Sequence, residues 1–498
     1  RCMSVPIAGA EGMGGRSRAE AAVDLGAGWV HGAQDVRNPL AALVASRGGV
    51  HPLVPSKRNA DARGGERRPL SALLISHDMD THLLTDAATG AEFDVECVAA
   101  AAGVFEAVLE ECAKVRARHP PGREWSFAGE AAAARERLEQ AGDIPMLSYA
   151  ERRVWSWFVG RAAGTWFAAE TADPGAAHGP DTGDGGTDAG APLRGTPAFV
   201  HGGLQALLRP LAAGVDIRFS NPVKRVCRHA SGVTLLLESG GRIEADYCVC
   251  TIPLGVLKVA PGAGVTTLAQ SYQNRNLMPI NSEEMRPPPR FDPPLPDEHR
   301  AALVASRVAH ENRVALRFAR AFWPQEVTFL GACADSVEDC SYFVNLSPLL
   351  GGEPVLLLLL TGARAFAMET SSEAVIRETA MRALRAALPA GCAVEEPLSV
   401  RWSRWGQDPW ARGAYAQGEL LPTPASELAA PAGRLHFAGD HVARRWTGTV
   451  HGALDSGKST AKAILKAIDT DLLTIKTEDA GVASMPSAPR GLRGSSKL

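Results

Sequence analysis

No uninterrupted apolar run exceeds six residues, and the most hydrophobic of these runs is VLLLLL at residues 355–360, preceded by Gly-Gly-Glu-Pro. Six residues is the length of a buried β-strand and far short of a membrane span, which needs about 20 apolar residues. Further strand-like patterns lie at 215–219, 233–237, 243–252, 312–318 and 354–361, and amphipathic helical patterns at 99–117, 372–388 and 449–467. This alternation of strands and helices predicts an α/β architecture.

Composition excludes several classes of protein. The 498 residues suffice for two or three domains, and a net charge of −3 gives no basis for coating nucleic acid. The first thirty residues lack a signal-peptide pattern. Nine cysteines without a CxxC motif favour a reduced, intracellular protein. Cys248 and Cys250 share one side of a predicted strand, where a small apolar core pair is expected rather than a metal site.

Four stretches have the composition of insertions or tails. Residues 57–69 are polar and charged, and residues 171–196 are rich in Gly, Asp, Ala and Pro. Residues 261–297 contain RPPPRFDPPLP, which favours extended polyproline conformation. Residues after about 468 are expected to form a disordered tail.

Four other segments carry potential chemistry: residues 12–32, 196–226, 246–258 and 434–464. In the first, a Gly pair precedes Arg16, whose guanidinium suits a phosphate. In the third, a strand ends at Pro253, at the sheet edge where α/β proteins bind ligands. In the fourth, a strand leads to Asp440, and a helix starting near Thr449 offers unpaired N–H groups to an anionic group. Each segment alone is also compatible with ordinary turns and capped helices.

Together and in this order, the segments resemble the flavin-containing amine oxidases, which include polyamine oxidases, monoamine oxidases and lysine-specific histone demethylases. The similarity covers residues 12–55, 196–260 and 300–467. SRWGQDPWARGAY at 403–415 is similar to the histone demethylase branch, whereas WVHG at 29–32 looks more like polyamine oxidases.

The resemblance implies a two-lobed, Rossmann-like FAD-binding domain and a mixed-sheet α+β substrate domain. The expected FAD-binding domain is formed by residues 1–55, 198–260 and 430–468. The expected substrate domain comprises residues 70–170 and 298–429. Residues 171–197 and 261–297 would be insertions, and 469–498 the tail.

The same resemblance implies FAD as the cofactor and assigns site residues. Those implied for cofactor binding are Gly14, Gly15, Arg16, Gly28, Trp29, Val223, Pro253, Trp410, Asp440, Thr449 and Val450. Those implied for the catalytic site are Arg313, Trp405 and Tyr415. Tyr415 corresponds to a tyrosine of the aromatic cage, whose ring face attracts a cationic amine. Trp405 and Trp410 correspond to tryptophans around the flavin, although core packing is an alternative for each.

Three features depart from the family pattern. No GxGxxG motif occurs near the start, so the first βα unit is expected to be missing from an N-terminally truncated chain or incomplete gene model. Arg313 stands where the family has a lysine that holds a water against the flavin N5, and arginine is larger and permanently charged. Asp440 replaces a glutamate, and no coiled-coil hairpin that would dock a demethylase partner is present.

The leading hypothesis is an FAD-dependent amine oxidase that transfers hydride from the α-carbon of a polyamine or methylated lysine to flavin N5. Reoxidation by O₂ would give H₂O₂. The expected partners are the amine and O₂, without direct nucleic-acid or membrane binding, and protein partners stay open. One alternative is a catalytically inactive binding module of the same fold. Another is a flavin oxidoreductase that acts on a non-amine substrate.

Overall fold

The computed structural model describes residues 3–6, 22–33, 35–46, 50–51, 74–76, 81–117, 127–167, 197–261, 287–417 and 429–482. The predicted insertions at 57–69 and 171–196, and residues 262–286, lie outside these ranges. No helix among the described residues has the length and apolar character needed to cross a membrane.

The described strands are β1 Ser4–Pro6, β2 Ala22–Asp24, β3 Trp29–Val30, β4 Val50–His51, β5 Leu74–Ser76, β6 His82–Asp86, β7 Ala198–Val200, β8 Val223–His229, β9 Gly232–Leu237, β10 Arg242–Ala245, β11 Cys248–Cys250, β12 Arg290–Asp292, β13 Arg307–Val308, β14 Glu311–Arg317, β15 Phe329–Cys333, β16 Ser341–Asn345, β17 Val355–Thr361, β18 Ser399–Trp402, β19 Ala416–Gln417 and β20 Leu435–Phe437. The described α-helices are α1 Ala41–Ser46, α2 Val95–Ala117, α3 Phe127–Ala141, α4 Tyr149–Phe167, α5 Leu204–Leu208, α6 Leu254–Leu257, α7 Asp297–Ala305, α8 Gly362–Glu369, α9 Glu373–Ala386 and α10 Val450–Val482.

The largest sheet has six strands in the order β18-β14-β17-β16-β15-β6, with β6 parallel to β15 and the other pairs antiparallel. Helices α2–α4 cover one face, and α8 and α9 cover the other. Side chains of β17 alternate between these two cores: Val355, Leu357 and Leu359 join the first, and Leu356, Leu358 and Leu360 join the second. The prediction of a buried strand is therefore confirmed. The run is continuous because a strand that is buried on both faces has no polar side.

Two smaller sheets contact α10. Strands β11 and β20 pair in parallel, and β3, β7, β5 and β4 form a mixed sheet in that order. The Ser456 hydroxyl accepts from the Gly439 N–H at 2.9 Å, and Thr460 Oγ1 donates to the Phe437 carbonyl at 2.9 Å, which holds the end of β20 against α10. Val450 and Leu454 of α10 pack against the core of β3, β7, α1 and α5.

The helices predicted at 99–117 and 372–388 and the start of the helix near 449 are confirmed. The strand predicted at 215–219 is wrong: these residues are exposed, and no described strand pairs with them. Alternating apolar residues form a strand only where a partner supplies hydrogen bonds and cover. The strand predicted at 243–252 is divided into β10 and β11, because β10 pairs with β9 whereas β11 pairs with β20.

Two regions are more ordered than the sequence predicted. Helix α10 extends to Val482, so residues 469–482 are helical rather than a disordered tail. Once a helix is nucleated, each added residue contributes a further hydrogen bond, which favours continuation. Within the proline-rich stretch, β12 pairs in parallel with β8, and Phe291 is fully buried.

Lys258 connects the turn after β11 to helix α7. Its buried Nζ donates to the carbonyl oxygens of Leu303, Val304 and Ser306 at 2.8, 3.1 and 2.6 Å. The final carbonyls of a helix lack partners within the helix, so this side chain satisfies groups that would otherwise be buried unpaired.

We expect Lys258→Met to lower the free energy of unfolding by about 3 kcal/mol, because it leaves these carbonyls without a donor. Denaturant unfolding monitored by circular dichroism measures the change. Lys224→Met is the matched control, since Lys224 is exposed on β8, and it should change stability by less than about 0.5 kcal/mol. Equal effects of the two substitutions would contradict the assigned role of Lys258.

Candidate active site

The turn after β2 is anchored by the buried carboxylate of Asp24. Asp24 accepts hydrogen bonds from the Ser4 hydroxyl and from the Leu204 N–H, the latter at 3.0 Å to Oδ2. Burial raises the pKa of the Asp24 carboxyl despite these hydrogen bonds, which lower it. The turn that follows, residues 25–29, is therefore fixed to β1 and to the start of α5.

Two side chains from distant parts of the chain bind the carbonyl groups of this turn. Trp405 Nε1 donates to the Leu25 carbonyl at 3.1 Å, and Arg313 Nη1 donates to the Gly26 carbonyl. The Arg313 guanidinium also lies 5.5 Å from the centre of the Trp29 ring. A Cβ atom at Gly28 would lie 3.5 Å from Arg313 Nη1 and 3.0 Å from the Asp24 Cβ, so the backbone approaches closely here.

Glu311 joins Arg313 to Tyr415. Its Oε1 accepts from Arg313 Nε at 2.8 Å and lies 2.8 Å from Arg313 Nη2, while Oε2 accepts from the Tyr415 hydroxyl at 3.1 Å. Burial, followed by the charge of Glu311, raises the pKa of Tyr415 well above its usual value. Sequence analysis missed Glu311, which directly precedes the strand predicted at 312–318. Its spacing of two residues from Arg313 places both side chains on one face of β14.

The opposite face of β14 supports the loop that carries Trp405. Asn312 Nδ2 donates to Glu369 Oε1 at 2.7 Å, and Asn312 Oδ1 accepts from the Trp405 N–H at 3.1 Å. Glu369 also accepts from the N–H groups of Gly406 and Gln407 at 2.8 and 3.1 Å. Burial raises the pKa of Glu369 against these hydrogen bonds. This buried network holds the position of Trp405.

Asp440 and the start of α10 lie beside the Tyr415 segment. Asp440 Oδ2 accepts from the Ala416 N–H at 2.8 Å, and the His441 Nδ1 lies 3.6 Å from Oδ1. Burial acts to raise the pKa of Asp440, but His441 and the Ala416 N–H outweigh it and lower the pKa. Gly448 has a φ of 75°, and a Cβ there would collide with the Ala416 carbonyl oxygen.

The structure thus gathers Gly28, Trp29, Arg313, Trp405 and Tyr415 around the turn after β2. Arg313 lies against Trp29 and is joined to Tyr415 through Glu311, and Trp405 binds the same turn through the Leu25 carbonyl. Gly448 in turn places Thr449 and Val450, where α10 begins, next to Tyr415. Thr449 Oγ1 accepts from the Gly452 N–H at 3.0 Å, which caps the helix.

Of the remaining predicted residues, the structure describes Val223, Pro253 and Trp410. Val223 begins β8, and Pro253 precedes α6, with its carbonyl accepting from the Val256 N–H at 3.0 Å. Trp410 is 44% exposed on the loop after β18. Gly14, Gly15 and Arg16 lie outside the described residues.

No group of three or more His, Cys, Asp or Glu side chains in the described ranges is arranged to hold a metal ion. Cys248 and Cys250 pack with the core of β8, β11 and β20.

Comparison with known proteins identifies the family. The family model for flavin containing amine oxidoreductase matches residues 10–465. Polyamine oxidase 3 of Oryza sativa subsp. japonica is 31% identical over 88% of this chain and 78% of its own length. Polyamine oxidase 2 of Arabidopsis thaliana is 29% identical over 93% and 84%, respectively. A possible lysine-specific histone demethylase 1 of Drosophila melanogaster is 31% identical over 53% of this chain and 30% of its own length.

The fold has a match among solved structures. Putrescine oxidase bound to putrescine superposes with a TM-score of 0.59 at 17% identity, covering 94% of this chain and 91% of that chain. The mixed α/β fold expected from the sequence is thereby confirmed, as is the resemblance to the amine oxidases. The chain belongs to the flavin-containing amine oxidoreductase family, a class of flavin-dependent enzymes that oxidise small amines.

Proposed function

We propose that this protein is an FAD-dependent oxidase of polyamines or diamines. Its amine substrate would lose a hydride from the α-carbon and a proton from nitrogen, and the imine formed would be hydrolysed. Bound flavin supplies the two-electron chemistry and passes both electrons to O₂, giving H₂O₂. The observation that carries the proposal is the cluster of Gly28, Trp29, Arg313, Trp405 and Tyr415, residues that the family resemblance assigns to the flavin and substrate side of the site.

Polar atoms near the start of α10 support a bound flavin. Nε2 of buried His441 lacks a hydrogen-bond partner among the described residues, and Nδ1 has only the 3.6 Å contact with Asp440 Oδ1. Buried polar atoms in native proteins are normally paired, so these atoms suit the hydroxyl groups of a ribityl chain. Thr449 and Val450 would present the helix N-terminus to the pyrimidine edge of the flavin.

The residues proposed for the adenosine half of FAD come from the family resemblance. Val223 and Pro253 are proposed to border it, with Gly14, Gly15 and Arg16 at the pyrophosphate. Trp410 is proposed to border the flavin although its ring is partly exposed. The proposed FAD-binding domain is built from residues 1–55, 198–260 and 430–468, and the substrate domain from 70–170 and 298–429.

Trp405 and Tyr415 would form the walls of the amine site. The raised pKa of Tyr415 keeps its phenol protonated near neutral pH, so the ring remains a neutral aromatic surface. Such a surface attracts the ammonium form of an amine without requiring a formal negative charge. The names of the relatives, polyamine oxidases and a putrescine oxidase, support an aliphatic amine as the substrate class.

One observation favours a second candidate. Arg313 stands in the place of the family's lysine, and its guanidinium is occupied by Glu311 and Gly26. A binding module that retains the fold without amine oxidation would tolerate this substitution. The two candidates differ in whether purified protein turns over an amine.

We expect the purified protein to carry flavin absorbance bands near roughly 370 and 450 nm and to release H₂O₂ with spermine or putrescine. Benzylamine and a dimethyl-lysine peptide serve as comparison substrates in the same peroxide assay. Absence of the flavin bands would favour the binding module. Flavin bands without peroxide from any of the four amines would instead indicate a flavin enzyme for a non-amine substrate.

Asp440→Asn should weaken flavin binding about tenfold or more, because it replaces the carboxylate proposed to accept from a ribityl hydroxyl by a neutral, weaker acceptor. Flavin retained after dialysis, measured by absorbance, reports the loss. Asp216→Asn is the matched control, since Asp216 is exposed and pairs with Arg218. Retention equal to that of the control would contradict the assignment of Asp440 to the cofactor.

A further inference from the structure

The Glu311 carboxylate occupies a central position in the cluster. Glu311 and Arg313 are two residues apart on β14, so their side chains share one face of the six-stranded sheet. Each side chain is only 12% exposed. Glu311 uses one oxygen for the guanidinium of Arg313 and the other for the Tyr415 hydroxyl.

We propose that Glu311 is the positioning residue of this site, holding the Arg313 guanidinium against Gly26 and Trp29 and orienting the Tyr415 ring. Its relevance to amine turnover rests on the proposed function. Glu311 and Arg313 then act as one unit at the place where the family has a single lysine.

The guanidinium is fixed by all three of its nitrogen atoms. Nε and Nη2 face Glu311, and Nη1 donates to the Gly26 carbonyl. Arginine presents its donors in a planar fork, so partners on two edges determine the plane of the group. Removing Glu311 leaves only Nη1 held, by the carbonyls of Asp24 and Gly26, so the plane of the guanidinium in front of Trp29 is no longer fixed.

Glu311 also balances charge. An amine approaches as an ammonium ion at neutral pH, and an unpaired buried guanidinium would repel it strongly because screening by water is reduced. Paired with Glu311, Arg313 contributes almost no net charge. The site can then accept a cation although it contains a permanently charged arginine.

The orientation of Tyr415 depends on the same carboxylate. The phenol has a single proton, and it is donated to Glu311. The Tyr415 carbonyl accepts from the Ala309 N–H at 2.9 Å, so the backbone is held separately from the ring. The ionisable groups that act on the phenol are Glu311 and Arg313 from β14 and Tyr342 from β16.

Ionisation of Tyr415 tests this arrangement without requiring turnover. In protein carrying ¹³Cζ-labelled tyrosine, the Tyr415 NMR signal is assigned by its loss in Tyr415→Phe. Glu311→Gln should make Tyr415 ionise at a lower pH, because an anion is lost and a cation is left unpaired. Arg313→Gln should shift the ionisation in the opposite direction. The double substitution should lie between the two single ones.

The kinetic arm uses the holoenzyme with putrescine or spermine. Glu311→Gln should raise KM about tenfold or more while kcat changes less, because the unpaired cation opposes substrate binding. The double substitution Glu311→Gln/Arg313→Gln should lower KM relative to Glu311→Gln alone, since no unpaired charge remains.

Glu353→Gln is the matched control, because Glu353 pairs with Arg317 of the same strand at 3.5 Å. It should leave both Tyr415 ionisation and KM as in the unsubstituted protein. Identical Tyr415 ionisation in Glu311→Gln and Glu353→Gln would overturn the proposal. The proposal would also be overturned if Glu311→Gln and Arg313→Gln shifted the ionisation of Tyr415 in the same direction. If no amine is oxidised but Tyr415 shifts as expected, the positioning role stands and the proposed function fails separately.

Discussion

The hydrogen bonds donated to the carbonyls of Leu25 and Gly26 are the interaction on which the candidate site depends. They come from Trp405 and Arg313, which are distant from the turn in sequence and belong to a loop and a strand of the large sheet. Because buried carbonyls must be paired, these donors fix the turn and the strand relative to each other. The space between Trp29, Arg313 and Tyr415 is defined by this attachment.

The strand that supplies Arg313 is rigid because its sheet is covered on both faces. Alternation along β14 then divides three consecutive residues by role. Glu311 and Arg313 face the turn and Tyr415, whereas Asn312 faces Glu369 and supports the loop of Trp405. One short strand therefore positions both the Arg313–Tyr415 contacts and the loop that carries Trp405. A change of register by one residue would exchange the side chains on the two faces of the strand.

Several elements could be predicted from sequence because their signals are local. The buried strand β17 is marked by a continuous run of apolar residues, and helix α9 by apolar residues at helical spacing. Both signals can be read within the segment itself. The 215–219 segment has the same alternation as a strand but no described partner, and pairing is not encoded within five residues. The division between β10 and β11 likewise depends on which distant strand each one meets. Glu311 could not be predicted as a site residue, because an acidic residue at the start of a strand has no distinguishing sequence pattern. Its role depends on the neighbours that it meets in space.

The sequence by itself determined the α/β class, the family resemblance and the presence of Arg313 in the place of a lysine, since residue identity and order suffice for these. Only the tertiary structure decided that Glu311 neutralises Arg313 and binds Tyr415, that Asp440 accepts from Ala416, and that Trp410 is partly exposed. The physical reason is that charge pairing, hydrogen bonding and burial depend on distances in space. Those distances are set by packing between segments that lie apart in the sequence, by 24 residues for Ala416 and Asp440 and by 104 for Glu311 and Tyr415.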